Sequence, residues 1–76
     1  MIRWGIIGLG NMANNFARSI KEIGGCELKA ISSLNKNRLN EFSNNYQVDN
    51  KYKFNSYLKL INCDEIDAIY ISTLNN

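Results

Sequence analysis

The sequence predicts an α/β fold: an incomplete doubly wound domain with a parallel sheet of about four strands, spatial order 3-2-1-4, and helices on both faces. Two observations predict the architecture and a third predicts its incompleteness. Apolar runs alternate with stretches of helical periodicity along the chain, the mark of strand–helix–strand units with right-handed crossovers. The first apolar run, Ile2-Arg3-Trp4-Gly5-Ile6-Ile7, leads directly into Gly8-Leu9-Gly10-Asn11-Met12-Ala13, a tight glycine turn that opens a helix. The 76 residues leave no room for the roughly six strands of a complete domain of this kind. A chain of this size buries only about 60% of its unfolded surface, so its stability is expected to be marginal without covering partners.

Each element has its own local signal. Ile2 to Ile7 is almost continuously apolar, as a central parallel strand covered on both faces requires. A helix is expected from about Asn11 to Ile23, with Met12, Phe16, Ile20 and Ile23 at helical spacing and Ala13 and Ala17 beside them. Gly24-Gly25 then offers the left-handed residue that ends a helix without a Cβ penalty. Cys26 to Ser33 forms the second strand, with Leu28, Ala30 and Ile31 as its apolar contacts. Asn35 is placed to cap a helix through about Asn45, with Leu39, Phe42 and Tyr46 near one face. Asp49 to Phe54 reads as a short, polar third strand. Ser56 caps a brief helix in which Tyr57, Leu60 and Ile61 turn inward. Ile66 to Ser72 is the fourth strand. It is apolar enough for an interior position, yet the predicted order leaves it at an edge, where such a strand invites another chain. Self-association through strand four is therefore expected if the polypeptide stands alone. Trp4 and Tyr70 read as interior or interface aromatics.

Composition narrows the function. Nine Lys or Arg against seven Asp or Glu give a net charge of +2, too small and too interrupted for a nucleic-acid footprint. Histidine is absent, which removes the commonest general base and metal ligand. Cys26 and Cys63 form neither a redox motif nor a metal cluster by spacing, and a cytoplasmic location is expected. No segment approaches the roughly 18 to 20 apolar residues that span a bilayer. No Gly-Lys-Ser or Gly-Lys-Thr follows the glycine turn, which speaks against a nucleoside triphosphatase.

The glycine turn fits the pyrophosphate of a dinucleotide. Gly8 makes the turn tight, Gly10 keeps side chains away from the phosphates, and Ala13 is small enough for close helix–sheet packing. The backbone N–H groups of Leu9, Gly10, Asn11 and Met12, with the helix dipole, would face the anion. An NAD site usually carries an acid at the end of strand two, for the ribose hydroxyls. Here the chain reads Ile31-Ser32-Ser33-Leu34-Asn35-Lys36-Asn37-Arg38, without one. Ser33 and Asn35 can donate to a 2′-phosphate and Lys36 or Arg38 can add charge, which tilts the reading from NAD toward NADP. The same two cations also suit a solvated first helical turn, and Leu34 offers no donor; a loose site accepting either cofactor is the other outcome. Ser72 and Thr73 close strand four on the nicotinamide side, where their hydroxyls either touch the second ribose or cap a turn. FAD is disfavoured, since its sites also keep an acid after strand two.

These residues resemble the N-terminal segment of the glucose-fructose oxidoreductase / inositol dehydrogenase / rhizopine-catabolism (Gfo/Idh/MocA) family. The likeness runs through Ile6 to Ala13, Glu27 to Ser33, Arg38 to Phe42 and Ser56 to Ile61. It closes on Ile66-Asp67-Ala68-Ile69-Tyr70-Ile71-Ser72-Thr73-Leu74-Asn75, similar to the family's VDAVYIATPN segment. The resemblance implies a Rossmann domain holding NAD or NADP, with Thr73 and Asn75 beside the cofactor, in an enzyme moving hydride to or from a sugar, inositol or similar polyol. Leu74 stands where the family has Pro, and Leu34 where some members have an Arg for the 2′-phosphate. The family's lysine in a Glu-Lys-Pro segment, its later Asp and His near the substrate, and its C-terminal substrate domain have no counterpart in residues 1–76. The chain alone is thus expected to bind cofactor without turning over substrate. The alternatives are a non-catalytic nucleotide-binding or interaction module, and a gene fragment without function.

Overall fold

The computed structural model of the chain describes residues 1–72. The elements follow in the order β1 (Ile2–Ile7), α1 (Asn11–Glu22), β2 (Cys26–Ser32), α2 (Lys36–Tyr46), a 3₁₀ turn (Asn50–Tyr52), β3 (Lys53–Phe54), α3 (Tyr57–Ile61) and β4 (Ala68–Ile71). The four strands are all parallel, in the order β3-β2-β1-β4. The fold class and strand order are those the sequence predicts.

Parallel strands need crossovers, and the three helices divide between the faces of the sheet. On the face of α1 and α2, a core forms from Ile6, Leu9, Ala13, Ala17, Ile31, Leu39, Phe42 and Val48. On the other, Leu60 of α3 covers Ile7 and Ala30, with Ile66 and Phe54 packed alongside. Gly5 makes that second layer possible: a Cβ there would lie 2.9 Å from Ile66 Cδ1 and 3.1 Å from Leu60 Cδ2. Phe16 of α1 stacks on Tyr70 of β4 with centroids 4.0 Å apart and meets the Trp4 edge at 5.0 Å, joining β1, α1 and β4. Trp4 and Tyr70 are half-buried, in keeping with their predicted place.

Several local expectations are corrected. The buried stripe of α1 is Ala13, Ala17 and Ile20, while Met12 and Ile23 are 61% and 58% exposed. Small residues win the contact because they bring the helix axis closer to the sheet. Ile23 falls beyond the helix, with its N–H bonded back to Ser19 and Ile20, and Gly25 supplies the left-handed residue at φ 85°. The third strand has only two residues, because the Asp49 side chain accepts the Lys51 N–H and starts a 3₁₀ turn. In α3 only Leu60 is buried; Tyr57 and Ile61 face outward, because five residues make little more than one turn. The strand expected over Ile66–Ser72 is regular only at Ala68–Ile71.

At the amino-terminal end of the sheet, Arg3 clamps β1 to the approach of β4. Its guanidinium donates to both oxygens of Asp67, at 3.0 and 2.9 Å, and its backbone N–H adds a bond of 2.9 Å. These hydrogen bonds, side chain first and backbone second, hold the Asp67 carboxyl down at about 2 against an ordinary 3.8. Among the described residues no helix is long and apolar enough to cross a membrane, and no three His, Cys, Asp or Glu side chains form a metal-binding group.

Candidate functional site

The carboxyl end of the sheet gathers the glycine turn, the start of α1 and the ends of β2 and β4. After Ile7 the chain turns at Gly8, whose φ of 87° lies in the region that a side chain disfavours. Its N–H donates to the Ser32 carbonyl at 3.1 Å, fixing the turn against β2. Gly10 then occupies the N-cap of α1 and caps it with no side chain, and the first turn carries no acid. The first hydrogen bond of the helix is from the Asn14 N–H to the Gly10 carbonyl. The N–H groups of Asn11, Met12 and Ala13 are thus left without intrahelical acceptors, at the positive end of a twelve-residue helix. A glycine-flanked, uncapped turn of this kind fits a pyrophosphate: its donors are in place and the first turn of α1 carries no carboxylate to oppose the charge.

Beside the turn lies a cleft of about 540 Å³, lined by Ile7, Gly8, Leu9, Ser33, Leu34, Asn35, Arg38, Tyr57 and Ser72. It opens where the strand order reverses about β1, the switch point at which open α/β sheets bind ligands. Ser33 is 5% exposed and held from three sides. Its N–H donates to the Phe54 carbonyl at 3.1 Å, its carbonyl accepts the Asn55 side-chain amide at 2.7 Å, and its hydroxyl accepts the Asn35 N–H at 3.1 Å. Among the described residues the hydroxyl proton of Ser33 has no acceptor, so it remains available to the cleft. Across the glycine turn, Ser72 is also buried, tied through its N–H to the Ile7 carbonyl at 2.7 Å. Asn35 caps α2 by accepting the Arg38 N–H at 3.1 Å. Leu34 is 67% and Tyr57 38% exposed, two apolar surfaces on the cleft rim.

A second, smaller cleft of about 290 Å³ runs between α1 and α2, lined by Leu9, Gly10, Asn11, Asn14, Arg38, Glu41, Phe42 and Asn45. Leu9 and Arg38 border both. The Tyr46 hydroxyl reaches back from the end of α2 to the Asn14 side-chain oxygen at 3.1 Å, pinning the two helices together behind it.

Of the residues singled out from sequence, Gly8, Leu9, Ser33, Leu34, Asn35, Arg38 and Ser72 come together at the main cleft, and Gly10 and Asn11 at its neighbour. Met12 and Lys36 are exposed and line neither. Thr73 and Asn75 lie outside the described residues. Sequence reasoning missed Tyr57, Asn55, Glu41 and Asn14. The Ser56 cap was the available signal for Tyr57, since it starts α3 at the cleft mouth.

A parallel sheet carrying a glycine turn, a bare helix N-terminus and a switch-point cleft defines a Rossmann-type nucleotide-binding domain. The chain belongs to the Gfo/Idh/MocA family: the model of this oxidoreductase family, with its NAD-binding Rossmann fold, matches residues 2–76. It is 30% identical, over its whole length, to the uncharacterized oxidoreductase YgjR of Escherichia coli, of which it spans 23%. It also resembles a probable dehydrogenase from Thermotoga maritima, at a TM-score of 0.89 and 29% identity, over 96% of this chain and 21% of that one. A scyllo-inositol dehydrogenase from Lactobacillus casei, solved with NAD(H) and scyllo-inositol, gives 0.86 and 25%, over 97% and 22%. A 3-ketoreductase from Actinomadura kijaniata, solved with NADP and TDP-benzene, gives 0.82 and 26%, over 95% and 22%.

Proposed function

We propose that residues 1–76 are the N-terminal, cofactor-binding part of an NAD(P)-dependent oxidoreductase that moves hydride between a nicotinamide and a CH–OH group of a sugar, inositol or similar polyol. The observation that carries the cofactor reading is the uncapped α1 N-terminus behind Gly8, opening onto the switch-point cleft. The substrate class rests on the family and on the scyllo-inositol-bound neighbour. Bound nicotinamide supplies the hydride chemistry. This chain's residues orient it: Gly8 to Met12 hold the pyrophosphate, Ser33, Leu34 and Arg38 take the adenosine ribose, and Ser72, with Thr73 and Asn75, takes the nicotinamide side. Lys36, on the exposed first turn of α2, adds only long-range charge. No catalytic residue is assigned within 1–76, and the substrate domain belongs to the remaining length of the relatives. Arg38 at the cleft and the lack of an acid at the end of β2 favour NADP over NAD.

A ¹⁵N–¹H NMR titration of the chain with NADP⁺ and NAD⁺ tests this. Shifts concentrated at Gly8, Gly10 and Asn11, saturating earlier with NADP⁺, are expected. A dispersed spectrum indifferent to both cofactors would overturn the reading.

A second reading, an interaction module, is favoured by Ile69 and Ile71 on the outer strand β4, 36% and 63% exposed. Apolar side chains on an outer strand favour pairing with a second copy or another partner. Concentration-dependent sedimentation that Ile71→Lys abolishes is its expected mark.

A further inference from the structure

The two clefts meet at Arg38, and what lies just past it is an opposite charge. Arg38 and Glu41 stand one turn apart on the exposed side of α2 and both border the smaller cleft, a spacing that makes neighbours of helical side chains. Among the described residues, ion pairs form only at Arg3, so Arg38 and Glu41 are not joined to each other. The rest of the polar lining is neutral: Asn11 and Asn14 from α1, Asn45 from α2.

We propose that Glu41 sets the balance between NADP and NAD, its carboxylate opposing the 2′-phosphate that Arg38 attracts; this rests on the dinucleotide reading above. An adenosine ribose at Ser33, Leu34 and Asn35 lies at the Arg38 end of the main cleft. Because Arg38 borders both clefts and Glu41 lines the smaller one, a 2′-phosphate drawn to Arg38 would sit at their junction, on the side that Glu41 borders. A phosphate monoester carries a charge of about −1.5 to −2 near pH 7, whereas the free hydroxyl of NAD carries none. Gly10 and Asn11 line the same cleft as Glu41, so the carboxylate also bears on the pyrophosphate, but that group is common to both cofactors. Only the 2′-phosphate makes the repulsion unequal and shifts the ratio against NADP. The chain so built discriminates weakly, and a single side chain tunes it.

The test is a charge series at one exposed position, with dissociation constants for NADP⁺ and NAD⁺ measured on the whole chain at low and at high salt. Relative to wild type, Glu41→Gln tightens NADP⁺ about three-fold and Glu41→Lys about ten-fold at low ionic strength. NAD⁺ stays within about two-fold, and the NADP⁺ gains shrink as salt is added. Glu22→Gln, at the far end of α1, changes neither. If both cofactors gain equally along the series, the effect is the general field of the protein and the proposal falls. It falls equally if neither cofactor responds. If wild type binds no dinucleotide at all, the parent reading fails and this one with it; if both bind but their ratio is fixed, only the role of Glu41 is overturned.

Discussion

At its start β1 is tied down: the Arg3 backbone and side chain both bond to Asp67, so the beginning of β1 and the residue just before β4 are locked together. At its end the same strand runs into Gly8 and a helix whose first N–H groups no side chain caps. One end uses its polar groups to complete the fold, and the other leaves donors open. The local energy cost of that second arrangement, a left-handed turn and an uncapped helix, is what a site for an external anion entails. The contrast shows where stability and binding separate in a chain this small.

Adding one methyl group at two glycines of the same strand–turn unit breaks the comparison most sharply. Gly8→Ala places a Cβ at φ 87°, costing about 1–2 kcal/mol, and puts it at the phosphate approach. We expect a lower urea midpoint together with at least a ten-fold loss of dinucleotide affinity. Gly5→Ala is crowded differently, against the flexible ends of Ile66 and Leu60. It lowers stability by about 1–3 kcal/mol through overpacking, yet leaves affinity in the folded fraction unchanged. Equal losses of affinity in the two variants would show that binding merely follows stability. A smaller effect is expected at the junction of the two functions. Asn35→Ala removes the α2 cap at a cost of about 1 kcal/mol. It leaves the Asn35 backbone bond to Ser33, so affinity falls only modestly, as paired denaturation and titration would show.

The glycine turn and the caps at Asn35 and Ser56 were legible because each depends on neighbours in sequence, and the strand order because alternating strands and helices with right-handed crossovers leave few topologies. The phase of α1 was harder: Met12-Phe16-Ile20-Ile23 and Ala13-Ala17-Ile20 are adjacent stripes, and hydrophobicity favours the larger residues. Close packing on the sheet favours the smaller ones, and that is a property of the pair of surfaces. The third strand was overread because Asp49 captures the Lys51 N–H, a local bond that competes with the ladder. The smaller cleft was illegible for a different reason. Glu41 and Asn14 share it only because α1 and α2 lie side by side, a contact sealed by Tyr46 to Asn14. The missing acid after β2 was correctly noted in the linear sequence, but the acid a turn further along α2 becomes relevant only once the helices are placed.

The weakest perturbation probes the locked end by pH. Asp67 is half-exposed, so its pair with Arg3 is screened by water and contributes modestly. Its sign is nonetheless fixed. The folded carboxyl titrates near 2 instead of the ordinary 3.8, so the unfolded chain takes up this proton first as acid is added. The stabilisation is complete above the unfolded value and disappears as pH falls through the folded one, within about pH 4 to 2. Arg3, pushed upward by the same hydrogen bond, stays charged throughout and adds no slope of its own there. Asp67→Asn should therefore flatten that acid segment of the stability curve and lower stability by a constant amount above about pH 5. Dinucleotide affinity at neutral pH should not move, because the clamp lies at the opposite end of β1 from the glycine turn. A variant that kept the wild-type acid slope would assign that slope to other carboxylates, and one that lost cofactor affinity would show that the two ends of β1 are coupled.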